Sequence, residues 1–402
     1  MKRIEAFNQL YEKVKNDKKV IVFGAGQIGR RMYLYLKYKG NIVFITDNNE
    51  NAYIGLEDAI SVNEIEMYIR NDKSIVITIC VAKENVASCI YNQIKDLGIP
   101  EDIIFWYNGE GFTGEYKTNL MERGLFNGAE IVPCLRGAKA EEVLAQKILA
   151  GDAFLCSRWG SVEGMALFCK AIDADVAGLS ALQNNAGVYP LDNPEVINEY
   201  LSISARAAGM IDYFYVAVWC NVIEELYEIY SPQSIPVHFR LRPDGDIWLN
   251  ALTNKKVLVV HPFAKLIETQ YKIKDKLFKN IVIPDFELIT VPAVQSMGGS
   301  NDFATWIDAF EYMKDTISKK DFDVALLGCG AYGMPLGAFI KEEIGKPAIH
   351  VGGELQLFFG IKGKRWDERK YVRDKFYNEY WVRPTDDLKP ENWKQVEGGC
   401  YW

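Results

Sequence analysis

An arginine, a glycine and a glutamate lie close together in the segment SRWGSVE (157–163), directly after the apolar run AFLCS. Arg158 carries a planar guanidinium that can donate two parallel hydrogen bonds to a phosphate. Gly160 lets the chain turn, and Glu163 falls in the first turn of the helix that follows, within reach of a metal ion or a substrate hydroxyl. The segment therefore predicts a phosphate-binding site that begins at Ser157. The alternative is an ordinary helix start capped by Ser161.

A glycine-rich turn, Gly328-Cys329-Gly330-Ala331-Tyr332-Gly333, follows the apolar run FDVALL and precedes a predicted helix. The amides of Gly328, Gly330 and Gly333 would meet the carboxyl edge of a sheet, where open α/β sheets bind ligands. The next strand runs into His350 without an acidic residue at its end, which disfavours a dinucleotide. The turn predicts a phosphate or diphosphate cradle, with a purely structural turn as the alternative.

Histidines and basic residues also follow predicted strands. His261 and Lys265 lie where one strand feeds a helix, and His350 ends another strand, so two of the chain's three histidines fall at strand ends. Position at a strand end favours a functional role for both, and the alternative is a structural histidine whose hydrogen bonds are satisfied within the fold. Farther along, Arg365 belongs to a basic segment with Lys362 and Lys364 that would suit the charges of a diphosphate. A solvated basic loop is the alternative.

An earlier glycine turn carries a nucleotide-binding pattern. Gly24, Gly26 and Gly29 follow the apolar run VIVF and open a helix, and Asp47 ends the next predicted strand. Glycines there allow close approach of a phosphate, and Asp47 could hold a ribose. The same turn could equally serve packing alone.

Predicted strands alternate with predicted helices along most of the chain, which favours an α/β fold of two Rossmann-like, doubly wound parallel sheets. We assign a Rossmann-like N-terminal domain of four strands to residues 1–107, a Gly-rich linker to 108–137, and a larger second domain to 138–402. The second domain ends in an aromatic C-terminal tail, predicted to pack on it. In this arrangement the glycine turns and the strand-end histidines share carboxyl edges.

The net charge, the length of the apolar runs and the spacing of the cysteines each disfavour a class of protein. The net charge of -8 argues against a nucleic-acid partner. No run of residues is apolar and long enough to span a bilayer, so we expect no transmembrane segment and a cytoplasmic location. Eight scattered cysteines without CxxC spacing predict neither a disulfide framework nor a zinc cluster.

The second domain, over about 140–402, resembles bacterial glycosyltransferases of the GT-D fold class, through SRWGSVE and LLGCGAYGMPLGAFIKEEIGKPAIHVGG. The resemblance implies transfer of a sugar from a nucleotide-diphosphate donor to a glycan or lipid-linked acceptor in polysaccharide assembly, with Mn²⁺ or Mg²⁺ as cofactor. A lipid-linked acceptor would place the protein at the inner face of the membrane. The N-terminal domain resembles Rossmann-like modules attached to polysaccharide-assembly proteins.

Carried over by position, Arg158 and Glu163 match the family's Arg-x-Gly-Asp-Gly-Glu turn, while Ser161 replaces its aspartate. One carboxylate is a weak site for these cations. His350 is therefore predicted as a second metal ligand beside Glu163.

For the reaction we assign residues to two groups. The diphosphate would be held by Arg158, Lys265 and Arg365 with help from the glycine-turn amides. Catalytic candidates besides Glu163 are His261 and Asp302, either of which could serve as the base.

Two other functions remain open. The first is an NAD-dependent oxidoreductase or epimerase of sugar nucleotides that uses Gly24, Gly26, Gly29 and Asp47. It is disfavoured, and NAD is not expected, because the first domain lacks a second mononucleotide-binding half and the chain lacks a suitable YxxxK dyad. The second is a non-catalytic assembly factor. The sequence leaves the oligomeric state open, a homo-oligomer included.

Overall fold

The computed structural model describes residues 2–4, 13–14, 18–38, 40–52, 58–109, 125–127, 130–171, 176, 180–217, 220, 222–299 and 302–402. The chain forms two compact units. They comprise Met1–Leu120 with Phe168–Val176, and Met121–Leu167 with Ala177–Trp402.

The first unit contains a five-stranded sheet in which every pairing is parallel. Its strands, in the order β1-β5-β4-β2-β3, are β1 Lys2–Ile4, β2 Val20–Phe23, β3 Val43–Thr46, β4 Val76–Cys80 and β5 Ile104–Tyr107. Its helices are α1 Gln27–Tyr38, α2 Ile65–Asn71 and α3 Glu84–Asp96, with shorter helical turns at Glu50–Ala52, Val62–Glu64 and Glu101–Ile103. The sequence predicts four of these strands. The fifth, β1, has the sequence KRI, in which two charged residues leave no apolar run to predict a strand.

The second sheet has eight strands, and all of its pairings are parallel. They are β8 Leu135–Arg136, β9 Leu155–Ser157, β10 Tyr213–Tyr215, β11 Ile235–His238, β12 Lys256–His261, β13 Glu287–Pro292, β14 Val324–Leu327 and β15 Ala348–His350. Preceding this sheet along the chain, β6 Leu125–Asn127 and β7 Glu130–Val132 form an antiparallel pair. The interval 108–137, predicted as a linker, thus contains β6, β7 and the edge strand β8.

Twelve helices follow residue 137 in the part of the chain that the structure describes. They are α4 Ala138–Ala150, α5 Ser161–Ala171, α6 Ser180–Asn184, α7 Pro194–Gly209, α8 Ile223–Tyr230, α9 Asp246–Asn250, α10 Ala264–Tyr271, α11 Lys274–Leu277, α12 Trp306–Ser318, α13 Gly333–Phe339, α14 Lys364–Asp367 and α15 Lys370–Phe376. Shorter or wider helical turns lie at Met297–Gly299, Gly330–Tyr332, Ile340–Ile344, Gly352–Phe359, Asp386–Leu388 and Trp393–Gln395.

Local sequence explains where the longer helices begin. Asn193 accepts hydrogen bonds from the amides of Glu195 and Val196, and Pro194 occupies the first turn of α7. Thr305 and Asp308 form a reciprocal capping box at the start of α12. Both features stop the helices from fraying into the strand connections.

The strand order of the second sheet is β13-β12-β14-β15-β9-β10-β11-β8. The chain runs from β12 to β13 in one direction across the sheet and from β14 to β15 in the other, so a crevice opens beyond the carboxyl ends of β12 and β14. The interior strand β14 is buried at all four positions, as expected of a parallel strand that is covered on both faces.

The aromatic C-terminal segment packs as part of this unit. Trp366, Phe376, Trp381 and Trp402 are all buried. The indole Nε1 of Trp381 donates to the Leu277 carbonyl at 2.7 Å. No helix among the described residues combines the length and the apolar character of a membrane span.

Candidate functional site

A cavity of about 690 Å³ opens at the carboxyl edge of the eight-stranded sheet. Five arginines and three glutamates line it: Arg158, Arg240, Arg242, Arg365, Arg369, Glu163, Glu354 and Glu397. All three histidines of the chain, His238, His261 and His350, line it as well. Positive charge exceeds negative charge around this cavity, although the chain as a whole carries a net charge of -8. The lining therefore suits an anionic ligand.

Arg158 follows β9 and is held in place by the loop after β15. Its Nε donates to the Val351 carbonyl at 3.3 Å. A Cβ at Gly352 would lie 1.8 Å from Arg158 Nη2, so the guanidinium occupies the space that glycine leaves open. Gly352 also has φ +71, a backbone conformation that favours glycine. Arg158 thus depends on a residue that the sequence pattern did not single out.

Glu163 is half-buried in the first turn of α5 and faces the cavity. Burial raises the pKa of its carboxyl, Arg158 opposes the increase, and Glu397 adds to it. A Cβ at Gly160 would come within 2.1 Å of Glu163 Oε2. Gly160 therefore makes room for the carboxylate as well as allowing the chain to turn.

Two further arginines share one glutamate at the cavity wall. Glu354 Oε1 accepts hydrogen bonds from Arg242 Nε at 3.3 Å and Arg242 Nη2 at 3.2 Å. Arg369 Nη1 lies 3.5 Å from the same oxygen. Because two guanidinium groups share one carboxylate, the trio keeps a net positive charge.

Arg365 lies across the cavity on the C-terminal segment. It forms an ion pair with Glu397 and donates to the Cys400 sulfur at 3.2 Å. Its guanidinium carbon sits 4.8 Å from the centroid of the Tyr401 ring, in a cation-π arrangement. These contacts fix a side chain that would otherwise sample many rotamers.

His350 is enclosed between two predicted site residues. Its Nδ1 lies 3.2 Å from Ser157 Oγ, and a Cβ at Gly333 would lie 2.4 Å from its Nε2. Burial, with a smaller contribution from Arg158, lowers the pKa of His350 to about 3. Gly333 itself does not line the cavity, whereas Gly328 and Gly330 do. The role of Gly333 is to admit the imidazole ring.

His261 is held by the loop that follows its strand. The Phe263 amide donates to His261 Nδ1 at 2.9 Å, so the neutral ring carries its proton on Nε2. Burial lowers the pKa of His261 to about 3. A Cβ at Gly328 would lie 2.7 Å from the ring. His261 is therefore placed to donate a hydrogen bond and cannot accept a proton at Nε2.

His238, which the sequence analysis left aside, has the opposite tautomer. Its Nδ1 donates to the Val216 carbonyl at 3.1 Å, which leaves Nε2 as a proton acceptor. The ring lies 5.5 Å from that of Tyr215, at 31°. Burial first, then Arg136 and Arg242, lower its pKa, while the hydrogen bond to Val216 acts in the opposite direction.

Two residues predicted for the site lie elsewhere. The side chains of Lys265, on α10, and of Asp302 are exposed, and neither lines the cavity. Lys265 follows a strand end closely in sequence, but the helix turns its side chain to solvent.

The arginines that the sequence analysis missed include Arg240 and Arg242, in the segment FRLRP after β11. Alternating arginines directly after a buried strand are the signal that could have identified them.

The glycine turn of the first unit has packing reasons of its own. A Cβ at Gly24 would lie 2.8 Å from the Cys80 carbonyl oxygen, and a Cβ at Gly29 would lie 1.5 Å from that of Gly24. Asp47 Oδ2 accepts from the Ala25 amide at 2.7 Å. Of the three glycines in this turn, Gly26 is the one at which a Cβ would meet no described atom within 4 Å. Packing thus accounts for Gly24, Gly29 and Asp47, and nucleotide binding there stays a prediction.

The divalent-cation site that the sequence implied at Glu163 and His350 stays a prediction. Among the described residues, no three His, Cys, Asp or Glu side chains group closely enough to hold a metal ion. One nitrogen of His350 lies 3.2 Å from Ser157 Oγ and the other faces Gly333, and both His350 and Glu163 line the cavity. Five arginines supply positive charge to the same cavity.

The chain matches no known protein family, no curated protein and no solved structure.

Proposed function

We propose that the cavity binds a nucleotide-diphosphate sugar and transfers its glycosyl group to an acceptor hydroxyl, in the assembly of a polysaccharide or other glycan. The observation that carries this proposal is the convergence of five arginines on one cavity beside three glutamates. A diphosphate needs several guanidinium donors, and sugar hydroxyls need carboxylate acceptors. Both sets of groups line the same space.

Arg158 and Arg365 are proposed to bind the diphosphate, together with the backbone amides of Gly328 and Gly330. Both arginines are held by several contacts, so little side-chain freedom would be lost when a ligand binds. His261 adds a neutral Nε2 donor beside Gly328. Charge that develops on the leaving diphosphate would meet donors already in position.

Glu163 is proposed to accept hydrogen bonds from hydroxyls of the donor sugar. It faces the cavity next to Arg158, so a sugar attached to the bound diphosphate would lie within its reach. No step of this proposal passes through a metal.

The proton of the acceptor hydroxyl is proposed to go to His238. As the new bond forms between the acceptor oxygen and the anomeric carbon, the bond between that carbon and the diphosphate breaks, and Nε2 takes the proton. His238 replaces His261 and Asp302 in this role. The Nε2 of His261 already carries a proton, and Asp302 does not line the cavity.

A thermal-shift panel of nucleotide-diphosphate sugars and free nucleoside diphosphates tests this proposal, with Glu142→Gln as a control on the exposed face of α4. Arg158→Gln should weaken the binding of both ligand classes. Glu163→Gln should weaken binding of the sugar nucleotide about tenfold or more. Its affinity for the free nucleoside diphosphate should stay unchanged, because only the sugar reaches the carboxylate. Binding should persist in EDTA.

Other outcomes would redirect the assignment. A thermal shift that requires Mn²⁺ would restore the cation site implied by the sequence. A shift with NAD(H) alone would favour an oxidoreductase that uses Gly24, Gly26, Gly29 and Asp47. If no ligand changes the melting temperature, a non-catalytic assembly factor becomes the better explanation.

A further inference from the structure

A second cavity, also of about 690 Å³, lies beside the first. It is bounded by Arg136 at the end of β8 and by the residues that follow β11. His238, Phe239 and Arg240 line both cavities and form their shared wall. A molecule in the second cavity would therefore lie next to the proposed base.

Two arginines, Arg136 and Arg240, and two carboxylates, Glu141 and Asp244, line the second cavity. Asp244 is shared by Arg240 at 2.9 Å, by Lys375 at 2.7 Å and by the hydroxyl of Tyr371. Glu141 Oε2 accepts from the Ile247 amide at 2.9 Å. Both carboxylates are thus already engaged by donors.

Arg136 is exposed and has no carboxylate partner among the described residues. Arg240 shares the Asp244 carboxylate with Lys375, which lies outside the cavity lining, so Asp244 does not neutralise Arg240 alone. These two guanidinium groups can fork onto the oxygens of one oxyanion.

We propose that the second cavity binds an oxyanion carried by the acceptor, and that a phosphate group fits it best. A phosphate anchored by Arg136 and Arg240 would hold the rest of the acceptor against the shared wall. The acceptor would extend past the edge of that wall, so that its hydroxyl meets the donor sugar beside His238, which lines both cavities. This inference rests on the proposed transferase function, and it adds that the acceptor is a phosphorylated molecule.

Calorimetric titration with inorganic phosphate tests the site on the full chain. The protein is titrated alone and also saturated with the nucleoside diphosphate that gives the largest thermal shift. Acetate provides a second arm, because a site for carboxylates in general would bind it as well. The variants are Arg136→Gln, which lines only the second cavity, Arg365→Gln, which lines only the first, and Arg206→Gln as an exposed control on α7.

Phosphate should bind to the nucleotide-saturated protein, more tightly than acetate does. Arg136→Gln should weaken phosphate binding about tenfold or more without changing nucleotide affinity, and Arg365→Gln should do the reverse. Arg206→Gln should change neither. If nucleotide displaces phosphate, or if Arg136→Gln has no effect, the inference is overturned.

Failure of the proposed function would look different. If no nucleotide binds but phosphate binding still depends on Arg136, the oxyanion site stands and the transferase assignment falls. Equal affinity for acetate and phosphate would overturn the preference for a phosphorylated acceptor.

Discussion

At the scale of single residues, hydrogen-bond partners decide what each histidine can do. All three line one cavity, yet an amide donor fixes His261 as the Nε2-protonated tautomer, and a carbonyl acceptor fixes His238 as the opposite one. Residue type and position at a strand end are the same for both. Their chemistry differs because one neighbouring backbone group donates and the other accepts.

We predict that the pKa of His238 lies below its ordinary value of 6.5 and rises when Arg136 is replaced by glutamine. A nearby positive charge disfavours the imidazolium, so its removal should make the ring easier to protonate. NMR titration of the imidazole measures this directly and requires no substrate. The acid limb of the pH-rate profile should follow the same shift, since a base is active only above its pKa. An unchanged pKa would show that Arg136 does not act on this ring.

At the scale of elements, the site is built where loops leave the carboxyl ends of parallel strands. Several glycines in these loops have a space-filling reason, because a site side chain occupies the place of their missing Cβ. Gly160 accommodates Glu163, Gly333 accommodates His350, and Gly352 accommodates Arg158. Such glycines position polar groups without touching a ligand.

Alanine at Gly352 should therefore displace Arg158 and weaken nucleoside diphosphate binding about tenfold or more. Gly345 provides a matched control, because its φ of +73 is close to the +71 of Gly352, yet a Cβ there meets nothing within 4 Å. Both variants should lose about 1–2 kcal/mol of stability from backbone strain. Only Gly352→Ala should also lose affinity, as measured by calorimetry beside thermal unfolding. Equal affinities in the two variants would contradict the packing role of Gly352.

At the scale of the whole molecule, buried histidines couple stability to pH. Burial lowers the pKa of His261 from 6.5 to about 3 in the folded chain. The unfolded chain binds the proton more readily, so this contribution to stability is complete above about pH 6.5 and is lost as the pH falls toward 3. Between these two pH values, each such histidine lowers the free energy of unfolding by about 1.4 kcal/mol for every unit by which the pH falls.

Urea unfolding at pH 7 and pH 5 tests this coupling with His261→Asn, whose side-chain oxygen can still accept from the Phe263 amide. The free energy of unfolding should be lower at pH 5 than at pH 7 in both proteins. This loss should be about 2 kcal/mol larger in the unaltered protein than in the variant. The comparison uses the pH dependence, so a constant loss of stability in the variant does not affect it. Identical pH dependences would show that His261 is not buried as a neutral ring.

The sequence by itself determined the α/β class, because apolar strand runs alternate with helices of clear periodicity. It also placed Arg158, Gly160, Glu163, His261, His350 and the turn at Gly328 at strand ends, and the structure brings these to one edge of the second sheet. It did not identify β1, β8 or β11, because their segments KRI, LR and IPVH contain charged residues or proline where a strand prediction needs an uninterrupted apolar run.

Only the tertiary structure decided which strand ends are neighbours. Ser157 and His350 are 193 residues apart in the chain, and Arg242 and Glu354 are separated by 112, yet each pair is within hydrogen-bond distance. Strand order arises from the packing of all the helices on the sheet, and no local pattern encodes it. For the same reason the sequence favoured Lys265 and Asp302, whose side chains are exposed, and passed over Arg240, Arg242 and His238. Where a side chain points, and whether a ring nitrogen meets a donor or an acceptor, depends on neighbours that are distant in the chain.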